Sequence, residues 1–318
     1  MAVDPMTVEP LQPNESDERP HPAETAPLWN ESWYFDFADA TRGIGGWVRL
    51  GLMPNEDVAW ICALVCGPDL PTLAVLDFNA ALPADPTKVQ TDNIDLTLEP
   101  IEPLKKYRVS VRGRGQAHRD PATLLRSNPV DAEEIDLAMD LIWTTAGIPY
   151  LYRLTPRYEI PCTVSGTVRW GDSTIELDAV PGQRDHSWGV RDWWGGLEWM
   201  WCALHLDDGR HLHIVDARLA GLANTVIGYV QQSDTGLVEL EAAEVEEAFA
   251  DNGLPISSMI RLEPGGVEAT VEIGGHAPVR LVSPTGQLSH FPRAWVKVTT
   301  SDGGKGVGWI EWNRVQSR

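Results

Sequence analysis

The chain has 318 residues, which is enough for one very large domain or two medium ones, and we favour two at this length. It contains 25 lysine and arginine residues against 46 aspartate and glutamate residues, so its formal net charge at pH 7 is −21. A charge of that sign repels nucleic-acid phosphates and anionic membrane surfaces, which argues against nucleic acid as a partner.

The composition also predicts a compartment. No apolar run reaches the roughly 20 residues needed to span a bilayer, so we expect no stable membrane insertion. The N-terminus is acidic and rich in proline, where a secretory signal would be basic and then apolar. Four cysteines without metal-binding spacing are typical of buried, reduced thiols. We therefore predict a soluble cytoplasmic protein; the cysteines are Cys62, Cys66, Cys162 and Cys202.

The chain divides into a tail and a long strand-rich region. Residues 1–28 contain six prolines among acidic residues and serines, and this composition predicts a disordered tail. From Trp33 onward, short apolar or alternating runs are separated by Gly, Pro, Asn and Asp, which is typical of β-strands. Only Glu241 to Ala250 fits a short helix and a strand equally well.

About sixteen predicted strands divide into two eight-stranded antiparallel barrels or sandwiches, and an eight-stranded barrel is of a size that holds one small ligand. The pattern is interrupted at Ala179-Val180-Pro181-Gly182. We therefore predict an all-β protein with an N-terminal barrel over residues 29–180 and a C-terminal barrel over residues 181–318.

Tryptophan is unusually abundant, with fourteen residues against five phenylalanines and six tyrosines. Strand alternation places Trp199 and Trp201 on one face, followed by His205, and that face is predicted to line a cavity. A register shift of one residue would instead turn both indoles outward, where they would form an interface, for example in a homodimer. Five of the fourteen lie between residues 185 and 201: Trp188, Trp193, Trp194, Trp199 and Trp201.

Titratable groups are concentrated in the same segment, which also contains Arg191. One interpretation is structural, because an Asp-His pair in a turn often only holds a loop through hydrogen bonds. The other is chemical: burial would raise the pKa of Asp185 so that it acts as an acid near neutral pH, with His186 as its partner. Indole faces stabilise a developing carbocation, so protonation of an alkene is a reaction that such a site can perform.

We expect no metal and no cofactor. His205, His211 and His213 lie close in sequence but do not have an established zinc spacing. His213 and Asp216 are instead predicted to be wall residues of the same pocket. The sequence contains no nucleophile elbow, no phosphate-binding glycine loop before a helix, and no alternation of strands and helices.

The motifs then identify a family. They are the strand Thr163–Val168, the run Asp185-His186-Ser187-Trp188-Gly189, the run Trp199-Met200-Trp201, and Leu206-Asp207-Asp208-Gly209-Arg210 before an apolar strand. In order and spacing, the stretch from Cys162 to Arg218 resembles the AttH-like and carotenoid 1,2-hydratase (hydroxyneurosporene synthase) family, which includes kievitone hydratase.

The resemblance implies two lipocalin-like (calycin) barrels and cofactor-free addition of water to an isoprenoid double bond. It implies catalytic roles for His186 and Trp188, which occupy the family's His-x-Trp positions. The family also uses a tyrosine and an aspartate on the strand after the Asp-Asp-Gly turn. This chain has no tyrosine there, so the resemblance carries over Asp216, with His213 as a substitute for the tyrosine.

The leading hypothesis is a hydratase or dehydratase for a hydrophobic terpenoid, prenyl or steroid-type substrate. Asp185, His186, Trp188 and Asp216 are its predicted catalytic residues. A non-catalytic carrier of a lipophilic ligand, and an isomerase or cyclase that uses the same pocket, are the alternatives. The predicted substrate-binding residues are Arg191, Trp193, Trp194, Trp199, Trp201, His205 and His213.

Overall fold

The computed structural model describes residues 9–126, 132–232 and 236–316. These residues form β-strands and three short 3₁₀ helices, Glu15–Glu18, Pro54–Glu56 and Pro121–Leu125, and they contain no α-helix. The prediction of an all-β protein is therefore confirmed. Within the same ranges, no helix has the length and apolar character that crossing a membrane requires.

The strands form two large antiparallel sheets of eleven strands each. The first sheet contains β1 (Trp29–Asp39), β2 (Ile44–Met53), β3 (Val58–Gly67), β4 (Leu70–Ala80), β5 (Lys88–Gln90), β6 (Ile94–Glu102), β7 (Lys106–His118), β8 (Glu133–Thr145), β9 (Tyr150–Leu151), β10 (Arg157–Trp170) and β11 (Ser173–Val190). The second contains β12 (Leu197–Leu206), β13 (His211–Leu219), β14 (Thr225–Gln232), β15 (Gly236–Glu239), β16 (Ala242–Phe249), β17 (Pro255–Glu263), β18 (Val267–His276), β19 (Val279–Val282), β20 (Leu288–Phe291), β21 (Arg293–Thr300) and β22 (Lys305–Val315).

Neighbouring strands in each sheet are mostly neighbours in sequence. The first sheet has the order β4-β3-β2-β1-β11-β10-β8-β7-β6-β5, and β4 also pairs with β7. The second has the order β15-β14-β13-β12-β22-β21-β18-β17-β16, with β20 joined to β22 and β19 to β20. The segment that fitted a helix or a strand at Glu241 to Ala250 contains β16 and is therefore a strand.

The division between the sheets differs from the predicted boundary at residues 180 and 181. Those residues lie inside β11, which pairs with β10 from Ser173 to Ser187 and with β1 from Arg184 to Val190. The interruption in the pattern is a local irregularity of that strand, because the register to β10 shifts between Val164 and Gly166 and Ala179 has a φ of 50°. The Asp185 to Gly189 motif consequently belongs to the first sheet.

Three large apolar clusters form most of the apolar interior of the described residues. One is enclosed by the strands of the first sheet and one by the strands of the second sheet. The third lies between the two sheets. β1 contributes to two of them because its side chains alternate: Trp33 and Phe35 point inside the first sheet, and Tyr34 points toward the second.

Tryptophan side chains form hydrogen bonds between the two sheets. The Trp47 indole of the first sheet donates a hydrogen bond to the Ala277 carbonyl at 3.2 Å, and the Trp309 indole of the second donates to the Phe37 carbonyl at 2.8 Å. A Cβ at Gly45 would lie 2.7 Å from the Trp295 ring, so this position requires glycine for the sheets to approach. The abundance of tryptophan is therefore partly a consequence of this interface.

The segment that precedes β1 also differs from the disordered tail expected over residues 1–28. Residues 1–8 lie outside the described ranges, but Glu15–Glu18 is a 3₁₀ helix that places Glu18 in the interior. The Glu18 carboxylate accepts an ion pair from Arg184 Nη1 at 2.8 Å, and both side chains are 2% exposed. A buried arginine needs a charged partner, and the proline-rich composition gave no sign of this contact.

Replacing Glu18 by glutamine should lower the free energy of unfolding by about 3–5 kcal/mol, because the Arg184 guanidinium would remain buried without a counter-charge. Urea unfolding measures the change. Glu15→Gln on the same 3₁₀ helix is the matched control, since Glu15 is exposed. Equal stability of the two variants would show that the segment does not hold Arg184.

Candidate functional site

Asp185 and His186 point to opposite sides of the first sheet. Asp185 lies opposite Tyr34 and Glu159, and these side chains face the second sheet. His186 lies opposite Trp33 and Tyr158, whose side chains fill the interior of the first sheet. The two residues are adjacent in sequence but do not form one catalytic pair, because successive side chains of a strand alternate.

Asp185 lies at the wall of a cavity of about 60 Å³ between the sheets. A larger cavity of about 410 Å³ adjoins it, and Arg157, Arg191 and Trp199 line both. Of the predicted site residues, Asp185 and Trp193 line only the smaller cavity, and Trp188 and Trp201 line only the larger one. The apolar walls of the larger cavity are Leu154, Pro156, Val190, Leu197, Val215, Ala217 and Ile227.

The Asp185 carboxyl is 4% exposed and accepts a hydrogen bond from Arg157 Nη2 at 2.6 Å. Burial raises its pKa to about 7, against the opposite influence of Arg157, and the neighbouring Glu159 carboxylate raises it further. A carboxyl with this pKa is divided between its acid and its base form at neutral pH. It can therefore both donate and accept a proton.

Glu159 is ionised at neutral pH, in contrast to Asp185. Burial by itself would raise the Glu159 pKa, but Arg157 and hydrogen-bond donors lower it below the ordinary value. The donors are Arg157 Nε at 2.8 Å, the Trp201 indole at 3.0 Å, the Tyr152 hydroxyl at 3.1 Å and Gln183 Nε2 at 3.0 Å. Glu159 is thus a permanent anion that fixes Arg157 beside Asp185.

Trp201 and His213 belong to this network. Trp201 points toward the first sheet, so the alternative register with outward indoles does not occur. His213 Nδ1 donates to the Cys202 carbonyl at 2.9 Å, and its Nε2 lies 2.5 Å from the Tyr152 hydroxyl. Burial lowers the pKa of His213, so the ring is neutral and acts as a hydrogen-bond partner.

Asp216 does not join Asp185. It lies opposite Met200, whose side chain is inside the second sheet, and it forms an ion pair with Arg218 at 2.7 Å. Strand alternation places Asp216 on the opposite face from Val215, which lines the larger cavity. The four predicted catalytic residues therefore lie on three faces. Asp185 faces the cavity between the sheets, His186 and Trp188 lie on the opposite face of the first sheet, and Asp216 lies on the inner face of the second sheet.

His186 lies among the segment that precedes β1. Its Nδ1 donates to the Asp17 carbonyl at 2.8 Å, and its Nε2 lies 3.0 Å from Glu31 Oε1. His21 Nδ1 lies 2.8 Å from the same oxygen, and the His21 ring stacks on Trp188 at 3.7 Å. His21, Glu31 and His186 are the one group in the described ranges with three potential metal ligands close together. In this structure the three side chains contact one another directly.

Two other predicted substrate-binding residues lie away from the cavities. Trp194 packs against Trp60 with a ring separation of 6.2 Å, and its indole lies 3.5 Å from the Leu281 carbonyl. His205 Nδ1 lies 3.0 Å from His211 Nδ1. Trp194 therefore packs within the protein, whereas His205 Nε2 is buried without a hydrogen-bond partner among the described residues.

Several residues at the smaller cavity were missed by the sequence analysis. Arg157 and Glu159 alternate with buried Tyr158 and Ile160, and this pattern of period two was the available signal. Strands β2 and β21 contribute Arg49 and Arg293, for which isolated charges in apolar runs were the only sign. Behind them, Asp36 accepts from the Tyr34 hydroxyl at 2.8 Å and from the Gln183 amide at 2.8 Å.

Residues 14–316 match a family described as a domain of unknown function, DUF7064. The chain belongs to the DUF7064 family. No curated protein matches this DUF7064 chain.

Solved structures share the fold of the DUF7064 chain. An AttH-like protein from Nitrosomonas europaea has a TM-score of 0.62 at 15% identity, over 90% of this chain and 92% of that one. Kievitone hydratase from Nectria haematococca has a TM-score of 0.58 at 11% identity, over 89% and 88%. CghA, in a structure with Sch210972, has a TM-score of 0.57 at 10% identity, over 91% of this chain and 89% of that one. The predicted resemblance is confirmed at the level of the fold.

The contribution of Asp36 to stability should fall as the pH rises from about 4 to about 8, because burial raises the pKa of Asp36 from 3.8 to about 8 and the folded chain keeps a proton that the unfolded chain has lost. The slope is up to about 1.4 kcal/mol per pH unit for this group. Asp36→Asn, which resembles the protonated carboxyl, should remove this contribution, so its free energy of unfolding in urea should rise relative to that of wild type over this pH range. Asp95→Asn, at an exposed site, is the control, and an unchanged slope in Asp36→Asn would contradict the assignment.

Proposed function

We propose that this protein is a cofactor-free hydratase or dehydratase that acts on a carbon–carbon double bond or tertiary alcohol of a hydrophobic terpenoid, prenyl or steroid-type substrate. The observation that carries the proposal is Asp185, a buried carboxyl with a pKa of about 7 at the wall of a cavity lined by indoles. The adjoining cavity of about 410 Å³ is within the usual range for a small-molecule ligand.

We also propose that each sheet is a lipocalin-like barrel and that the protein is cytoplasmic. In the first sheet, the path from β4 through β1, β11 and β8 to β7 has eight strands, and the pairing of β4 with β7 joins its ends. The four cysteines are buried and free, which is consistent with a reducing compartment.

In the hydration direction, the acid form of Asp185 transfers its proton to one alkene carbon, and the π electrons form the new C–H bond. A cation develops on the other carbon, where the faces of Trp193 and Trp199 stabilise it. A water oxygen then forms the C–O bond and gives one proton to the Asp185 carboxylate, which restores the acid. Arg157 orients the carboxyl through its hydrogen bond, and dehydration follows the same steps in reverse.

His186, Trp188 and Asp216 have different parts in this proposal. His186 and Trp188 hold the segment that precedes β1, through the Asp17 carbonyl and the His21 ring, so His186 is a positioning residue. The Trp188 ring also forms a wall of the larger cavity. Asp216 is outside the proposed mechanism because it lies on the other face of the second sheet.

Asp185→Asn should abolish turnover and leave ligand binding largely intact, because the amide keeps the shape of the carboxyl without its transferable proton. The measurement is incorporation of oxygen-18 from labelled water into a panel of terpenoid, prenyl and steroid alkenes, read by mass spectrometry. Asp178→Asn, at an exposed position of the same strand, should retain wild-type rate.

Other results would indicate the other classes. A ligand that wild type and variant both retain unchanged would indicate a carrier. Solvent deuterium in the product without labelled oxygen would indicate an isomerase or cyclase. Wild-type turnover by Asp185→Asn would remove Asp185 from the mechanism.

The rate of hydration should fall as the pH rises through about 7, because the reaction needs the acid form of Asp185. Arg157, Arg191 and Arg49 act to lower this pKa and Glu159 acts to raise it, while burial has the largest effect. The profile of kcat/KM against pH measures the transition. A rate that is constant from pH 5 to pH 9, with wild-type stability throughout, would contradict Asp185 as the acid.

A further inference from the structure

The smaller cavity concentrates positive charge in a strongly acidic protein. Four arginines line it, whereas Asp185 and Glu311 are its two lining carboxylates. The whole chain carries a net charge of −21, so this local excess is opposite to the character of the protein. The arginines are Arg49, Arg157, Arg191 and Arg293.

The protein supplies partners for only part of these guanidinium groups. Arg293 forms an ion pair with Glu311, but its Nε and Nη1 are buried without a hydrogen-bond partner. Arg49 donates one hydrogen bond, to Asn30 Oδ1 at 3.1 Å. Arg191 forms no side-chain hydrogen bond or ion pair with any of the described residues. Arginine carries five N–H donors, so the cavity wall offers several that the protein does not use.

Positive charge exceeds negative charge at the smaller cavity. Burial lowers the pKa of Arg49 and of Arg191, each to about 10, and the neighbouring arginines lower both further. Both groups are still cations at neutral pH. The acid form of Asp185 offers them no negative charge, so the site holds partly buried positive charge that an anion would neutralise.

The same charge matters for the proposed reaction. A carbocation that develops beside Asp185 would be repelled by Arg49, Arg191 and Arg293 unless an anion stands between them. A substrate that brings its own negative group would neutralise the arginines and keep the indole faces effective. The arginines are therefore compatible with the proposed hydration only for an anionic substrate.

We propose that the substrate is an amphipathic acid whose carboxylate binds in the smaller cavity to Arg49, Arg191 and Arg293. Its double bond lies next to the carboxylate, within reach of Asp185, and the rest of its apolar body lies in the larger cavity. The inference rests on the proposed function and specifies its substrate class. A space of about 60 Å³ has room for roughly two water molecules, which suits a carboxylate and is small for a diphosphate. Carboxylates also match the planar fork of a guanidinium.

The walls of the larger cavity fit the remainder of such a molecule. Its mouth carries apolar side chains in contact with solvent, with Leu154 67% exposed, Val190 58% and Leu197 41%. Trp199 and Arg191 line both cavities, so the two spaces adjoin. One ligand can therefore place its polar end at the arginines and its chain toward the mouth.

Binding of three matched probes tests the assignment: farnesoic acid, farnesol and farnesyl phosphate, each followed by quenching of tryptophan fluorescence and by calorimetry. Wild-type protein should bind the acid more tightly than the other two. Arg191→Gln and Arg49→Gln should each weaken binding of the acid by about tenfold and leave binding of farnesol unchanged. Arg112→Gln, at an exposed position of β7, is the matched control and should bind all three as wild type does.

Equal binding of acid and alcohol, or equal weakening of both by Arg191→Gln, would overturn the carboxylate site. Tighter binding of the phosphate than of the acid would overturn the choice of carboxylate.

The binding experiment is independent of catalysis. Preferred binding of the acid without turnover of any acidic alkene would remove the proposed hydratase and leave the carboxylate site standing. Hydration of neutral alkenes with no preference for acids would support the hydratase and overturn the carboxylate site.

Discussion

The site depends on the two-residue period of β11, a strand whose faces are both buried from Gln183 to Ser187. Pairing with β1 and β10 fixes its register, so neighbouring side chains enter different environments. The side chains of Arg184 and His186 contact the segment before β1, on the inner face of the first sheet. The Asp185 side chain points into the cavity between the sheets. A shift of one residue would exchange these environments and bury Arg184 where Asp185 now lies. The ion pair with Glu18 is one of the contacts that prevent such a shift.

The second requirement is that two sheets form a single site. Asp185 and Arg157 come from the first sheet, and Trp199 and Arg293 come from the second. Glu159 links them, because it accepts hydrogen bonds from Arg157 on its own strand and from the Trp201 indole across the interface. Indole hydrogen bonds such as that of Trp309 hold the same interface elsewhere. The contacts that stabilise the interface therefore also fix the geometry of the site.

Much of this could be predicted from the sequence, and the failures have identifiable causes. Alternating runs and turn residues predicted the all-β fold, and the clustered tryptophans identified the segment around Asp185. The sequence could not show that Asp185 and His186 diverge, because the motif was interpreted as a loop, in which neighbours can converge, and it is a strand. Arg49 and Arg293 are distant in sequence from the motif, and only the pairing of strands brings them to it. The Glu18 contact was hidden because a proline-rich acidic segment normally lacks the apolar residues to order itself.

The central claim is that Asp185 carries a proton at neutral pH in the folded protein. Infrared difference spectroscopy measures this directly, because a protonated carboxyl has a C=O band that a carboxylate lacks. Subtraction of the Asp185→Asn spectrum from that of the wild type, at a series of pH values, isolates the band of this one residue. The account predicts a band that disappears with a midpoint near pH 7. A midpoint near the ordinary aspartate value of about 4 would show that Asp185 is a carboxylate under working conditions and would contradict the account.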